Sequence, residues 1–299
     1  MENGNQQQQQ QPFKIAVGQI KSVNNKDINF SKCQEFAEES VKQGAFMLCL
    51  PECFAFMSGG GNPRESIENA EPLDGPTINR YRQLARDNRL WLSLGGFHEK
   101  VGSQQPTTTE STTSSSSSDT SMIYNSHLII DDNGDIKSIY HKMHLFDVNI
   151  PSKNVHFNES KAVVPGKEIM VCDSPGGRLG LSVCYDVRFP QLYIKLRSMG
   201  SQILLVPAAF MQKTGEAHWH TLLKSRAIEN QCYVVAAAQT GQHYASRTSY
   251  GHSLVVDPWG TVLVDMEDKE GVGIATIDHN LLNQVRENMP CFTHIKSDY

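Results

Sequence analysis

An apolar run from Leu179 to Val183 stops abruptly at Cys184, and the polar and aromatic stretch Tyr185 to Pro190 follows it. A buried strand ending this way delivers a side chain to a turn, and the next segment, Phe189 to Met199, reads as a helix closed by Gly200. A thiol at that turn lies near a helix N-terminus, whose unpaired N–H groups favour the thiolate, the form of sulfur that attacks carbonyl carbon. The competing reading is a plain buried cysteine, since unpaired cysteines are among the most buried side chains. Company decides between the two. Glu52 comes directly after the apolar run Phe46 to Leu50, Lys142 follows the strand-like Ile136 to Tyr140, and Glu159 lies in the stretch Asp147 to Gly166, which has little periodicity and reads as a long loop. Open α/β sheets place their sites at the carboxyl ends of strands, where Glu52, Lys142 and Cys184 all fall.

Together these residue types suit attack on an amide. A thiol nucleophile needs a base, and the same group must then protonate the departing nitrogen. That is work for a carboxylate whose pKa is raised by burial, and Glu52 fits it. The carbonyl oxygen gains negative charge as the tetrahedral species forms, and the Lys142 ammonium with the Tyr185 backbone N–H suits that charge. Glu159 beside the lysine would keep it charged and in position. Taken singly, Glu52 reads equally well as a solvated loop acid and Lys142 as a surface lysine; the set carries the assignment. Arg188 matches a substrate carboxylate through its two-pronged guanidinium, and matches a structural ion pair equally. His141 and His144 have no further partner at metal-ligand spacing, and His218, Trp219 and His220 read as the start of a helix lining a pocket or core.

The elements that must position these groups follow from periodicity. In the first half, Phe13 to Ile20 is a strand, and Ile28 to Gln43 a helix with Cys33, Phe36, Ala37 and Val41 on one face. A helix from Pro76 turns Ile78, Tyr81, Leu84 and Ala85 inward, and Leu90 to Gly95 returns as a strand. Tyr124 to Asp131 and Ile136 to Tyr140 form a hairpin about Asn133-Gly134. Beyond the cysteine come a strand at Ile203 to Val206, a helix at His218 to Asn230 and a strand at Tyr233 to Ala238. A hairpin joins Ser253 to Val256 with Thr261 to Val264, and Gly271 to Ile277 and Asn280 to Met289 supply a last strand and helix. Two comparable halves of this kind predict an α/β protein in which two sheets pack together with helices outside, a four-layer α-β-β-α sandwich.

The six consecutive glutamines within Met1 to Pro12 read as a disordered tail, and the Ser/Thr-rich stretch at about 102–121 as an inserted surface loop, leaving a single domain over 13–299. With 39% hydrophobic residues, a chain of 299 has ample material for a large core. A net charge of -5 gives no basis for nucleic acid or an anionic membrane surface as the main partner. The sequence contains no apolar run of about 18 residues, and its N-terminus has neither a signal-peptide core nor an Arg-rich presequence, so a cytoplasmic setting is expected. Seven cysteines without Cys-x-x-Cys spacing point to reduced thiols rather than a disulfide framework or a zinc ribbon.

The stretches Leu50-Pro51-Glu52, His141 to Asp147, Phe157-Asn158-Glu159-Ser160 and the one around Cys184 resemble, in order and spacing, the successive motifs of the nitrilase, or carbon–nitrogen hydrolase, superfamily. Leu90 to His98, Ala217 to Gln239 and Ser249 to Gly260 resemble its Nit branch, and the likeness runs from about Phe13 to Tyr299. The resemblance implies the α-β-β-α fold and a catalytic triad of Glu52, Lys142 and Cys184 with Glu159 in support. It also implies no cofactor or metal, and subunits paired into homodimers or larger assemblies. The substrate it implies is a small-molecule amide, N-(4-oxoglutarate)-L-cysteinylglycine, hydrolysed to 2-oxoglutarate and cysteinylglycine, with 2-oxoglutaramate or another small amide as the alternative.

Overall fold

A computed structural model describes residues 12–59, 63–102, 122–150, 155–245 and 247–296. Apart from Pro12 and Gly102, the expected glutamine-rich tail and Ser/Thr-rich insertion lie outside the described residues. β1 (Phe13–Gln19) leads into α1 (Lys26–Lys42), β2 (Ala45–Leu50), the short α2 (Pro63–Glu68), α3 (Pro76–Asn88), β3 (Trp91–Lys100), β4 (Ile123–Ile130) and β5 (Ile136–His141). A small hairpin, β6 (Asp147–Ile150) and β7 (Val155–Asn158), precedes β8 (Val171–Ser174), β9 (Gly177–Leu181), α4 (Pro190–Ser198), β10 (Ile203–Leu205), α5 (Gln212–Asn230) and β11 (Tyr233–Ala236). A second hairpin, β12 (Thr240–Tyr244) and β13 (Arg247–Tyr250), is followed by β14 (Leu254–Val256), β15 (Val262–Asp265), β16 (Gly271–Ile277) and α6 (His279–Asn288).

Local chemistry accounts for the helix ends. Asn25 caps α1 by accepting from the Asp27 and Ile28 amides, while Pro76 and Pro190 occupy the first turns of α3 and α4, where a missing N–H costs nothing. In α3 the inward residues are Ile78, Tyr81, Leu84 and Ala85, as the spacing predicts. In α1 Cys33, Phe36 and Ala37 are buried, but Val41 is 41% exposed, and it is its neighbour Ser40 that turns inward in the last turn.

The strands form two six-stranded sheets, ordered β16-β1-β2-β3-β4-β5 and β15-β14-β11-β10-β9-β8. Both have the same pattern. β1, β2 and β3 are parallel, as are β9, β10 and β11, and each trio is flanked by antiparallel strands. The trios are buried on both faces, which is why they read as continuous apolar runs. Alternation still divides their side chains. Ile15, Val17, Met47 and Cys49 join Leu179, Leu181 and Val183 in one core, while Ala16, Leu48 and Leu50 pack with Phe36, Ile78 and Tyr81 of α1 and α3 in another. The first core continues to Leu192 of α4 and Trp219 and Leu223 of α5, which completes the four layers. One buried histidine bridges the sheets: His127 of β4 meets Ser93 Oγ at 2.7 Å and the Ser182 carbonyl at 3.0 Å. Burial pushes this imidazole down to about 4, against the opposing pull of the Ser182 carbonyl.

Several expectations are corrected. The segment from Asp147 to Gly166 is not a plain loop, because its first residues pair as β6 and β7, with Val148 opposite Phe157, and Glu159 opens a 3-10 turn. β3 does not stop at Gly95; a bulge lets it pass Gly95 and Gly96 and run on to Lys100. α5 begins at Gln212, ahead of the expected His218, and β9 ends at Leu181, two residues before the apolar run does. β8, α2 and the β12–β13 hairpin were not foreseen, since each is short and carries too few periodic residues to register.

Candidate active site

The carboxyl ends of β2, β5 and β9 converge, and Glu52, Lys142 and Cys184 follow them within three residues. Lys142 is 2% exposed, and its Nζ lies 2.9 Å from Glu52 Oε1 and 3.0 Å from the Glu159 carboxylate. An ammonium has three N–H donors, so two are engaged and a third is left for another acceptor. The backbone holds the lysine as firmly. Its N–H donates to the Asn125 carbonyl and its own carbonyl accepts from Gly166, both at 2.9 Å. Glu52 Oε2 accepts the Ala209 amide at 3.0 Å, and the Cys184 thiol lies beside this carboxylate. Thus the structure brings together all four residues singled out in the sequence.

Sequence reasoning missed three positioning residues. Asn125 of β4 donates through one amide nitrogen to Glu52 at 3.0 Å and to Glu159 at 3.1 Å, so it fixes the two carboxylates on either side of the lysine. Its signal was present: Asn125-Ser126-His127 interrupts an otherwise apolar strand, and all three are buried. Asp186, fully buried, accepts from Tyr140 Oη at 2.7 Å, the Val183 amide at 2.8 Å, and the His144 amide and Nδ1 at 3.0 and 2.7 Å. It thereby ties the cysteine turn to the segment that carries Lys142. Gly96, at φ +66°, leaves room for Glu52 and Asn125, since a Cβ there would stand 2.5 Å from Glu52 Cγ and 3.0 Å from Asn125 Oδ1.

Two electrostatic expectations are overturned. Burial favours the neutral form of Glu52, but the Lys142 charge, with hydrogen bonds from Lys142, Cys184 and Asn125, outweighs it and holds the carboxyl down to about 2. Glu52 is therefore ionised at rest instead of raised. The cysteine was expected to lean toward thiolate at a helix N-terminus. Instead Cys184 opens a five-residue 3-10 turn in a left-handed conformation, φ +47°, and its own amide is spent on the Pro207 carbonyl at 2.8 Å. Burial and the Glu52 charge push the thiol well up, with Lys142 opposing them, so the resting sulfur carries its proton. Lys142 resists its own burial because Glu159 and Glu52 raise it well above the ordinary lysine value.

His141 pairs with Glu99 at 3.0 Å and His144 with Asp186, so these neighbours serve different acids. Among the described residues, one group has metal-ligand spacing, His220, His252 and Asp265, and there each histidine is hydrogen-bonded to a different oxygen of the aspartate. The described residues include no helix long and apolar enough to cross a membrane. All seven cysteines are unpaired.

Residues 14–287 match the carbon-nitrogen hydrolase family. The deaminated glutathione amidase of Dictyostelium discoideum is 55% identical over 286 residues, spanning 95% of this chain and 94% of that protein. The Homo sapiens protein of the same name is 43% identical over 285 residues, spanning 95% and 82%. Among solved structures, Caenorhabditis elegans NitFhit superposes with a TM-score of 0.84 at 42% identity, covering 96% of this chain and 66% of that one. A Saccharomyces cerevisiae member of branch 10 of the nitrilase superfamily gives 0.78 at 26% identity, covering 94% and 96%. An α-β-β-α sandwich with its acid, amine and thiol at adjoining strand ends, matched along nearly its whole length, makes this chain a member of the carbon-nitrogen hydrolase family.

Proposed function

We propose that the protein hydrolyses deaminated glutathione, N-(4-oxoglutarate)-L-cysteinylglycine, to 2-oxoglutarate and cysteinylglycine, by way of a thioester on Cys184. The observation that carries the chemistry is the hydrogen-bonded cluster of Glu52, Lys142 and Glu159 with the Cys184 thiol beside it. The substrate choice is supported by the 55% identity to the Dictyostelium discoideum enzyme of that name.

Glu52 takes the proton of the Cys184 thiol as the sulfur bonds to the amide carbon. The charge that forms on the carbonyl oxygen is met by the third N–H of Lys142 and the Tyr185 amide, which are fixed in place beforehand. Sharing Lys142 with that oxyanion loosens its hold on Glu52, so the carboxylate becomes more basic when it must accept the proton. Collapse breaks the C–N bond, and the proton on Glu52 goes to the leaving amine. Water then attacks the thioester, gives a proton to Glu52, and releases 2-oxoglutarate; Glu52 returns that proton to the sulfur. Glu159 keeps the ammonium charged and oriented throughout. Arg188, whose guanidinium lies 5.1 Å from the Phe210 ring and 5.9 Å from that of Tyr185, takes the α-keto carboxylate.

Pairing of subunits is part of this reading, supported by the exposed Ile194 and Ile228 on α4 and α5 and by Trp259, which is 61% exposed. A cytoplasmic setting is supported by the seven unpaired cysteines. Intact-protein mass spectrometry during turnover, with deaminated glutathione and 2-oxoglutaramate as competing substrates, tests the whole proposal. An adduct of 2-oxoglutaryl mass on Cys184 and faster consumption of the larger amide are expected. Preference for 2-oxoglutaramate would reassign the substrate, and turnover with no adduct at Cys184 would remove the nucleophile.

A further inference from the structure

Among the described residues neither Arg188 nor Arg247 pairs with a carboxylate. Arg188 lies four residues past the nucleophile, with its Nη1 3.4 Å from His218 Nδ1. Arg247 comes from β13, and its Nη2 donates to the Ala209 carbonyl at 2.5 Å. Ala209 thus has Arg247 on its carbonyl oxygen and Glu52 on its amide nitrogen. Above Arg247 is the Phe157 ring, 5.9 Å from the guanidinium carbon, two residues before Glu159. From Phe157 an arc of rings continues through Phe146 and Tyr185, at centroid spacings of 5.6 and 5.1 Å, to Arg188. An unpaired guanidinium therefore stands at each end of an aromatic arc that passes the nucleophile's own neighbour, Tyr185. Arg247 Nε is also buried without any hydrogen-bond partner, which a folded chain rarely tolerates unless something else supplies the acceptor.

We propose that Arg247 is a second carboxylate subsite, on the leaving-group side of Cys184, which takes the terminal carboxylate of a two-residue amine. This rests on the amidase reading above and extends it from the acyl half of the substrate to the departing half. The terminal carboxylate of cysteinylglycine lies two residues beyond the scissile nitrogen, about 7 Å in extended form. A guanidinium receives such a group through two parallel hydrogen bonds, and Arg247 has the donors left to do so. An amide that releases only ammonia, such as 2-oxoglutaramate, has nothing to place there. Arg247 thus makes the distinction between a dipeptide leaving group and a small one, and Arg188 does not.

The test compares kcat/KM for deaminated glutathione with that for the same compound carrying a primary amide in place of the glycine carboxylate. Native protein and Arg247→Gln are both measured. Capping costs the native protein about 10- to 100-fold, mostly in KM, as expected for hydrogen bonds to a charged group. Arg247→Gln shows a similar loss on the uncapped substrate and no further loss on capping, and Arg247→Lys recovers part of it. Fast native hydrolysis of both compounds alike overturns the subsite and leaves the substrate reading standing, and this arm needs no variant to fold. An Arg247→Gln protein as sensitive to capping as the native one also overturns the subsite. Hydrolysis of neither compound overturns subsite and substrate reading together.

Discussion

The two sheets share one pattern of parallel and antiparallel strands yet bring different things to the site. From the first half and the small hairpin after it come the charges that surround the nucleophile's base and the amide that arranges them: Glu52 after β2, Asn125 on β4, Lys142 after β5 and Glu159 after β7. From the second half come a neutral sulfur and peptide groups, with Cys184 after β9 and Pro207 and Ala209 after β10. The charged cluster is closed on itself, each member holding another. The sulfur depends on the register between sheets, which His127 with Ser182, Tyr140 with Asp186, and Glu52 with Ala209 all set. Disturbing the first sheet's contribution therefore costs both stability and activity, and disturbing the second's costs activity alone.

The sharpest test of that contrast is Cys184→Ala. Amide turnover falls by about 10,000-fold or more, as when a nucleophile is removed elsewhere, while the thermal midpoint stays within a few degrees of the native protein. A large drop in midpoint would break the comparison. Lys142→Met lies on the other side of it. With the ammonium gone, two carboxylates face each other in a buried site, so chemical denaturation reports a loss of about 3–5 kcal/mol. In the same variant kcat drops about a thousandfold, the scale of a missing oxyanion donor. Adding Glu159→Gln returns part of the stability and none of the activity.

The register itself responds to pH. His127 in the folded protein is held at about 4, below the ordinary 6.5, so the unfolded chain takes up a proton first as pH falls. Stability from this site is therefore complete above about pH 6.5 and is lost progressively down to about pH 4, by about 3 kcal/mol in all. Denaturation profiles at pH 7 and pH 4.5 measure it, and a His127→Gln protein without a flatter profile would assign the acid sensitivity elsewhere. The smallest effect is expected from Asn125→Ala, which frees both carboxylates without removing any charge. It lowers kcat about tenfold and leaves KM nearly unchanged; a change in KM instead would make Asn125 a substrate contact.

Residues whose surroundings repeat were legible from the sequence. Ile78, Tyr81, Leu84 and Ala85 announce a buried helical face, and the apolar runs ending at Glu52 and Cys184 announce strands whose ends carry polar groups. The protonation states were not legible. Cys184 is high because burial and the Glu52 charge outweigh Lys142, and Glu52 is low because Lys142 and its hydrogen bonds outweigh burial, and these surroundings arise only when separate parts of the chain meet. Asp186 escaped notice for the same reason, since its partners Tyr140 and His144 lie more than forty positions earlier. Short pairings such as β6 with β7 depend on a neighbour to stabilise them and leave little trace in composition.

β16 leaves the half of the chain in which it is made and lies along β1, with Phe13 opposite Ile277. During synthesis the first sheet consequently waits with an open edge until β16 has emerged from the ribosome. Such an edge is a ready template for another chain, and a pairing this distant forms slowly. Loss of a few dozen residues from the C-terminus would therefore harm the opposite end of the sequence first, leaving the β1 edge free to pair with other copies of the chain.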